Sequence, residues 1–148
     1  MQLSDNLVVK VLWGNEGGSA AEGLSDNDKS LVMLLEYGGR NVIFCGDIGE
    51  RIQKKLISDS NGLKADIIVA AHHGSRKTFC REFMEAVGAE IVICSCGRSD
   101  YENGRVITKE DLDAELRYTG LEGAIQVVIK REGEISCCGY KKSPHLFR

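Results

Sequence analysis

The chain has 148 residues, 43% of them hydrophobic, and a net charge of −3. That length predicts one domain over residues 1–148, able to bury roughly 70% of its unfolded surface without disulfide staples or a structural metal. The slightly acidic balance excludes a module held on nucleic acid mainly by phosphate neutralisation, which needs a basic excess, and no apolar run is long enough to cross a bilayer.

Taken in chain order, Leu7 to Trp13 reads as a strand, followed by a Gly/Ser/Asn/Asp-rich loop from Gly14 to about Lys29. Long loops inside small domains are often functional. Leu31–Tyr37 and Asn41–Cys45 read as two strands, and Gly38-Gly39 between them is a hairpin signal. Residues 48–57 carry Ile48, Ile52 and Leu56 at helical spacing. Ala65–Ala71 and Glu90–Cys96 are unbroken apolar runs, as expected of strands covered on both faces. Between them Phe79, Phe83 and Val87 mark a helix ending at Gly88. Thr108-x-x-Asp111 has the form of a capping box and predicts a helix through Leu112 and Leu116 to Gly120. Ile125–Lys130 and Glu134–Cys138 form a hairpin around Glu132-Gly133, and residues 139–148, with the single proline Pro144, read as a loose tail. The whole is an α/β fold: a mixed sheet with about three helices.

Six cysteines, at 45, 80, 94, 96, 137 and 138, include no C-x2-C pair, which excludes zinc ribbons and thioredoxin-type redox motifs. They read as buried reduced thiols. The start, MQLSDNLVVK, has no basic region followed by a long apolar stretch, so a cytoplasmic location is expected.

Three stretches follow strand ends, where α/β sheets place their ligands: Gly46-Asp47, His72-His73-Gly74-Ser75 and Ser95–Asp100. Carboxylate and imidazole are suitable ligands for zinc or manganese. Structural duties compete. Asp47 with Glu50 three residues on fits an N-cap and its capping box. One of His72 and His73 fits a histidine bonded to a backbone carbonyl, and Ser75 fits an N-cap for the next helix better than a nucleophile. Cys94 and Cys96 fit strand packing.

The ordered set Asn27-Asp28-Lys29-Ser30-Leu31-Val32, Phe44-Cys45-Gly46-Asp47-Ile48, Ala65-Asp66-Ile67-Ile68, His72-His73-Gly74-Ser75 and Ser95-Cys96-Gly97-Arg98 resembles the C-terminal half of a metallo-β-lactamase-fold domain. The version in question is the one attached to the DNA-uptake competence protein ComEC. The resemblance runs from about residue 24 to 100, with weaker support to Ile129. It implies half of an αββα sandwich, with Asp47 and one of His72 and His73, His72 by preference, as metal ligands and Asn27, Ser30, Gly46, Gly74 and Ser75 near the site. It implies zinc or manganese as cofactor, or none where the site is degenerate. The implied chemistry is metal-assisted hydrolysis, of a phosphodiester above all, with nucleic acid entering only as substrate; the short apolar runs, and not the resemblance, lead to the expectation of no membrane partner. Departures are plain: the family's H-x-H-x-D-H motif is absent, and the chain holds only three histidines, 72, 73 and 145. A C-terminal half alone exposes the sheet face meant for its partner, so the expected partners are a second copy or a missing N-terminal half-domain. The competing reading is a non-catalytic, self-associating module derived from that fold.

Overall fold

Strand-forming runs of β-branched residues alternate with amphipathic helices along the chain. The computed structural model, which describes residues 6–14, 23–59 and 62–141, assembles them into a mixed sheet with the crossover helices on one face. The strands β1 (Val8–Trp13), β2 (Val32–Tyr37) and β3 (Arg40–Phe44) form an antiparallel meander. β4 (Ile67–Val69), β5 (Ile91–Cys94) and β6 (Glu115–Tyr118) then add in parallel, so spatial order follows sequence order from β1 to β6. Gly38 and Gly39 turn the β2–β3 hairpin at φ 58° and 73°, left-handed values that a β-carbon would penalise.

The parallel strands need crossovers, and helices supply them. α1 (Glu50–Asp59) joins β3 to β4, and α2 (Arg81–Val87) joins β4 to β5. Side chains alternate across each strand, which divides the core in two. On one face Ile43, Ile68 and Val92 pack with Ile52, Leu56, Phe83 and Val87 of the helices. On the other, Val42, Ile67 and Ile93 are covered by Ile125, Val127, Ile129 and Ile135 of a two-stranded hairpin, β7 (Ala124–Ile129) and β8 (Ile135–Tyr140). Phe83, Ile43, Ile67 and Ile68 are fully buried, each contributing roughly 1.5–3 kcal/mol of transfer free energy.

Asp66 fixes the height of β4 against β3. Its carboxylate accepts hydrogen bonds from the Arg40 guanidinium and the Asn41 N–H, both at 2.7 Å, setting the register that pairs Val42 with Ile67 and Phe44 with Val69. The carboxyl ends of the two strands are thereby aligned.

The structure corrects the sequence reading at three places. The helix expected from Thr108 to Gly120 is absent. Asp111 does accept from the Thr108 N–H at 2.8 Å, as a capping box would, but Arg76 also clamps that carboxylate and the chain turns into strand β6. Leu116 and Tyr118 alternate into the core while Glu115 and Arg117 point to the other face, and pairing with β5 overrides the local helical spacing. The described residues hold four α-helices, not about three, the additions being the short α3 (Arg98–Glu102) and α4 (Thr119–Glu122). Gly139 and Tyr140 belong to β8 and not to a loose tail; residues 142–148 of that tail, and 15–22 of the long loop, lie outside the described residues. No described helix is long and apolar enough to cross a membrane.

Candidate functional site at the ends of β3 and β4

Because β3 and β4 run parallel, the segments that leave their carboxyl ends emerge side by side. After β3 comes buried Cys45 and then Gly46 at φ 58°. After β4 the backbone enters the left-handed region for three residues: His72 (φ 48°, ψ 47°), His73 (φ 62°, ψ 16°) and Gly74 (φ 81°). His72 and His73 carry β-carbons, and left-handed backbone costs such residues roughly 1–2 kcal/mol each. Strain of this kind persists where the surroundings over-determine it. Here the His72 N–H donates to the Gly46 carbonyl at 2.9 Å, tying the two segments together.

Both glycines allow close backbone approach. A β-carbon on Gly74 would stand 2.5 Å from Cys94 Sγ, and one on Gly46 would stand 2.8 Å from Ser30 Cβ. Gly74 is thus seated on β5, and Gly46 on the segment before β2.

The side chains converge accordingly. His73 Nε2 lies 3.6 Å from Asp47 Oδ1, with 61% and 44% of the two side chains exposed to solvent. His72 turns the other way, its Nδ1 lying 3.4 Å from Asn27 Nδ2. Of the predicted site residues, Asp47 pairs with His73 and not with the favoured His72, which meets Asn27 instead. Ser30 and Gly74 serve as packing seats. Ser75 does not cap α2, which starts at Arg81 directly after Cys80; its hydroxyl instead accepts from the Lys77 N–H at 3.3 Å within a turn.

Asp47 does not cap α1 either. Asp28, which the sequence reading did not single out, takes that duty: its carboxylate accepts from the Gly49 N–H at 2.9 Å, while its own carbonyl accepts from the Trp13 indole at 2.7 Å. Glu50, the other half of the expected capping box, pairs with Lys54. The signal available for Asp28 was its place beside Asn27, but its partner lies 21 residues away and only the fold brings them together. The third stretch contributes differently. Asp100 pairs with Arg105 at 3.3 Å, and the Cys96 carbonyl accepts from Thr119 Oγ1 at 3.0 Å. Burial pushes the Cys45 and Cys94 thiols up to about 12, so both stay protonated and pack, as expected. Cys137 is only half-buried and Cys138 exposed, which corrects the expectation that all six are buried.

Zinc takes four ligands in a closed site and three protein ligands in a catalytic one. Asp47 and His73 supply two donors from one side. Among the described residues no group of three His, Cys, Asp or Glu side chains stands close enough to hold a metal ion. The pair therefore fits part of a coordination shell and not a whole one, and no catalytic step follows from it alone.

Fold and site together define an α/β protein with a strained strand-end loop that presents a carboxylate–imidazole pair. Its sequence is similar to short stretches of much longer bacterial proteins. Over 81 residues the chain is 30% identical to ComE operon protein 3 of Bacillus subtilis, covering 55% of this chain and 10% of that protein. Over 120 residues it is 28% identical to Competence protein ComA of Neisseria gonorrhoeae, covering 78% and 17%. Over 74 residues it is 30% identical to Recombination protein 2 of Haemophilus influenzae, covering 50% and 9%. The chain thus spans less than a fifth of the length of each of these relatives. No family model matches it.

Proposed function

We propose that this chain forms one wall of a metal-dependent hydrolase site of the metallo-β-lactamase type, within a competence-related protein, with a phosphodiester as substrate. The observation that carries the reading is the approach of His73 Nε2 to Asp47 Oδ1 at 3.6 Å, held by a loop with two consecutive left-handed histidines. Similarity to a ComE operon protein and to a competence protein supports the context. In this reading Asp47 and His73 each offer one donor, Asn27 holds His72 aside, and the remaining ligands come from polypeptide beyond this pair. When bound, zinc or manganese supplies Lewis acidity at the phosphoryl group. The chain's own residues orient the two donors and anchor the loop.

A second reading rests on the sheet face beside the β7–β8 hairpin, where Val9, Val11 and Phe44 are exposed. A non-catalytic module that buries this strip against a second copy would use the same fold without a metal. Calorimetric titration with zinc and with manganese, at known oligomeric state, separates the two. The hydrolase reading expects weak binding of one ion per chain, lost in both Asp47→Ala and His73→Ala and kept in His72→Ala. Absence of binding, with a stable dimer, would replace it with the association reading.

A further inference from the structure

We propose that the hollow between the Tyr101–Tyr118 ring pair and the 108–110 turn is a binding subsite for a nucleotide unit, a planar ring joined to a phosphate. It encloses about 390 Å³, within the range of small-ligand sites. Its floor is apolar and fixed: Leu116 and Tyr118 are 9% and 8% exposed, and the Tyr118 hydroxyl donates to the Ile107 carbonyl at 3.0 Å. Tyr101 meets Tyr118 edge to face, with ring centres 4.7 Å apart. Tyr118 is buried, so the half-buried Tyr101 is the ring on which a base would stack, worth about 1–3 kcal/mol per base.

The rim supplies charge. Arg76 donates through Nε and Nη2 to Asp111, at 3.1 and 2.7 Å, and through Nη2 to Thr108 Oγ1 at 3.1 Å. This clamp orients the guanidinium and leaves Nη1 without a partner among the described residues. Lys109, also on the rim, forms no ion pair or hydrogen bond among the described residues. Glu110 shares the rim and opposes an anion, which gives the inference a test of sign. Backbone bonds fasten the hollow to the histidine loop: Ile107 N–H donates to the Gly74 carbonyl, and Arg76 N–H to the Arg105 carbonyl, both at 2.9 Å. The assignment rests on the phosphodiester reading, the link being these backbone bonds to the loop that carries His73, while binding itself needs no metal.

The test is a nuclear magnetic resonance titration of the whole chain, in chelator and low salt, with thymidine 5′-monophosphate, thymidine and inorganic phosphate. The monophosphate is expected to shift Tyr101, Thr108 and Lys109 signals and to bind at least about tenfold more tightly than either part. Lys109→Ala and Tyr101→Leu should each weaken it several-fold, and Glu110→Gln should tighten it. Arg76 also holds the 108–111 turn, so the exposed Lys109 carries the charge test. The Asp47→Ala/His73→Ala double variant should bind the monophosphate unchanged, so loss of metal binding leaves this result standing. Equal binding of phosphate alone, shifts elsewhere, or indifference to both Lys109→Ala and Glu110→Gln would overturn the assignment.

Discussion

Gly74→Ala probes how the histidine loop is seated. The new β-carbon would stand 2.5 Å from Cys94 Sγ and 3.0 Å from Cys94 Cβ, on a residue whose φ is 81°. Left-handed backbone costs a non-glycine residue about 1–2 kcal/mol, and overpacking a buried contact costs about 1–3 kcal/mol. Together these predict a loss of about 2–5 kcal/mol, read by urea denaturation. Cys94→Ala in the same chain removes the sulfur and relieves the steric part but not the backbone part. The double variant should therefore be more stable than the sum of the single effects by about 1 kcal/mol or more. A Gly74→Ala protein within about 0.5 kcal/mol of the parent, or strictly additive effects, would refute the seating of this loop on β5.

Asp28→Ala should cost about 1 kcal/mol, the usual value of a lost helix cap, while Asp47→Ala should stay within about 0.5 kcal/mol because, among the described residues, its carboxylate meets only the exposed His73; equal losses by thermal melting would contradict this division of labour. Glu122 accepts from Arg117 Nε at 2.8 Å and from the Tyr118 N–H at 3.0 Å, and the guanidinium holds its carboxyl below the usual range. A depressed carboxylate stabilises fully above its unfolded pKa and loses that contribution as pH falls through the folded value. Glu122→Gln should thus be less stable than the parent at neutral pH, with the gap closing in acid; a gap constant from about pH 7 to about pH 2 would refute the pairing. Iodoacetamide should label exposed Cys138 in the native protein and leave Cys45 and Cys94 untouched until denaturant is added, as peptide mass mapping would show.

Local signals carried most of the strands. The Gly38-Gly39 hairpin, the apolar runs of β4 and β5 and the β7–β8 hairpin are each set by residues close in sequence. The helix expected after Thr108 failed because its capping box is real but local, while the pairing of Leu116 and Tyr118 beside β5 is not. The same distinction governs the site. Asp47 and the two histidines stood out as polar residues at strand ends, yet which histidine meets Asp47 depends on two backbone torsions. Asn27 turning His72 aside spans 45 residues, and Asp28 capping α1 spans 21. Neither distance is written in any short motif.

In the function proposed above, Asp47 and His73 act together as metal donors. Manganese(II) titration followed by paramagnetic broadening of amide and imidazole resonances tests it most directly. Signals of Gly46, Asp47 and His73 should broaden first, and the effect should disappear in both Asp47→Ala and His73→Ala. Broadening centred elsewhere, or unchanged in those variants, would contradict it.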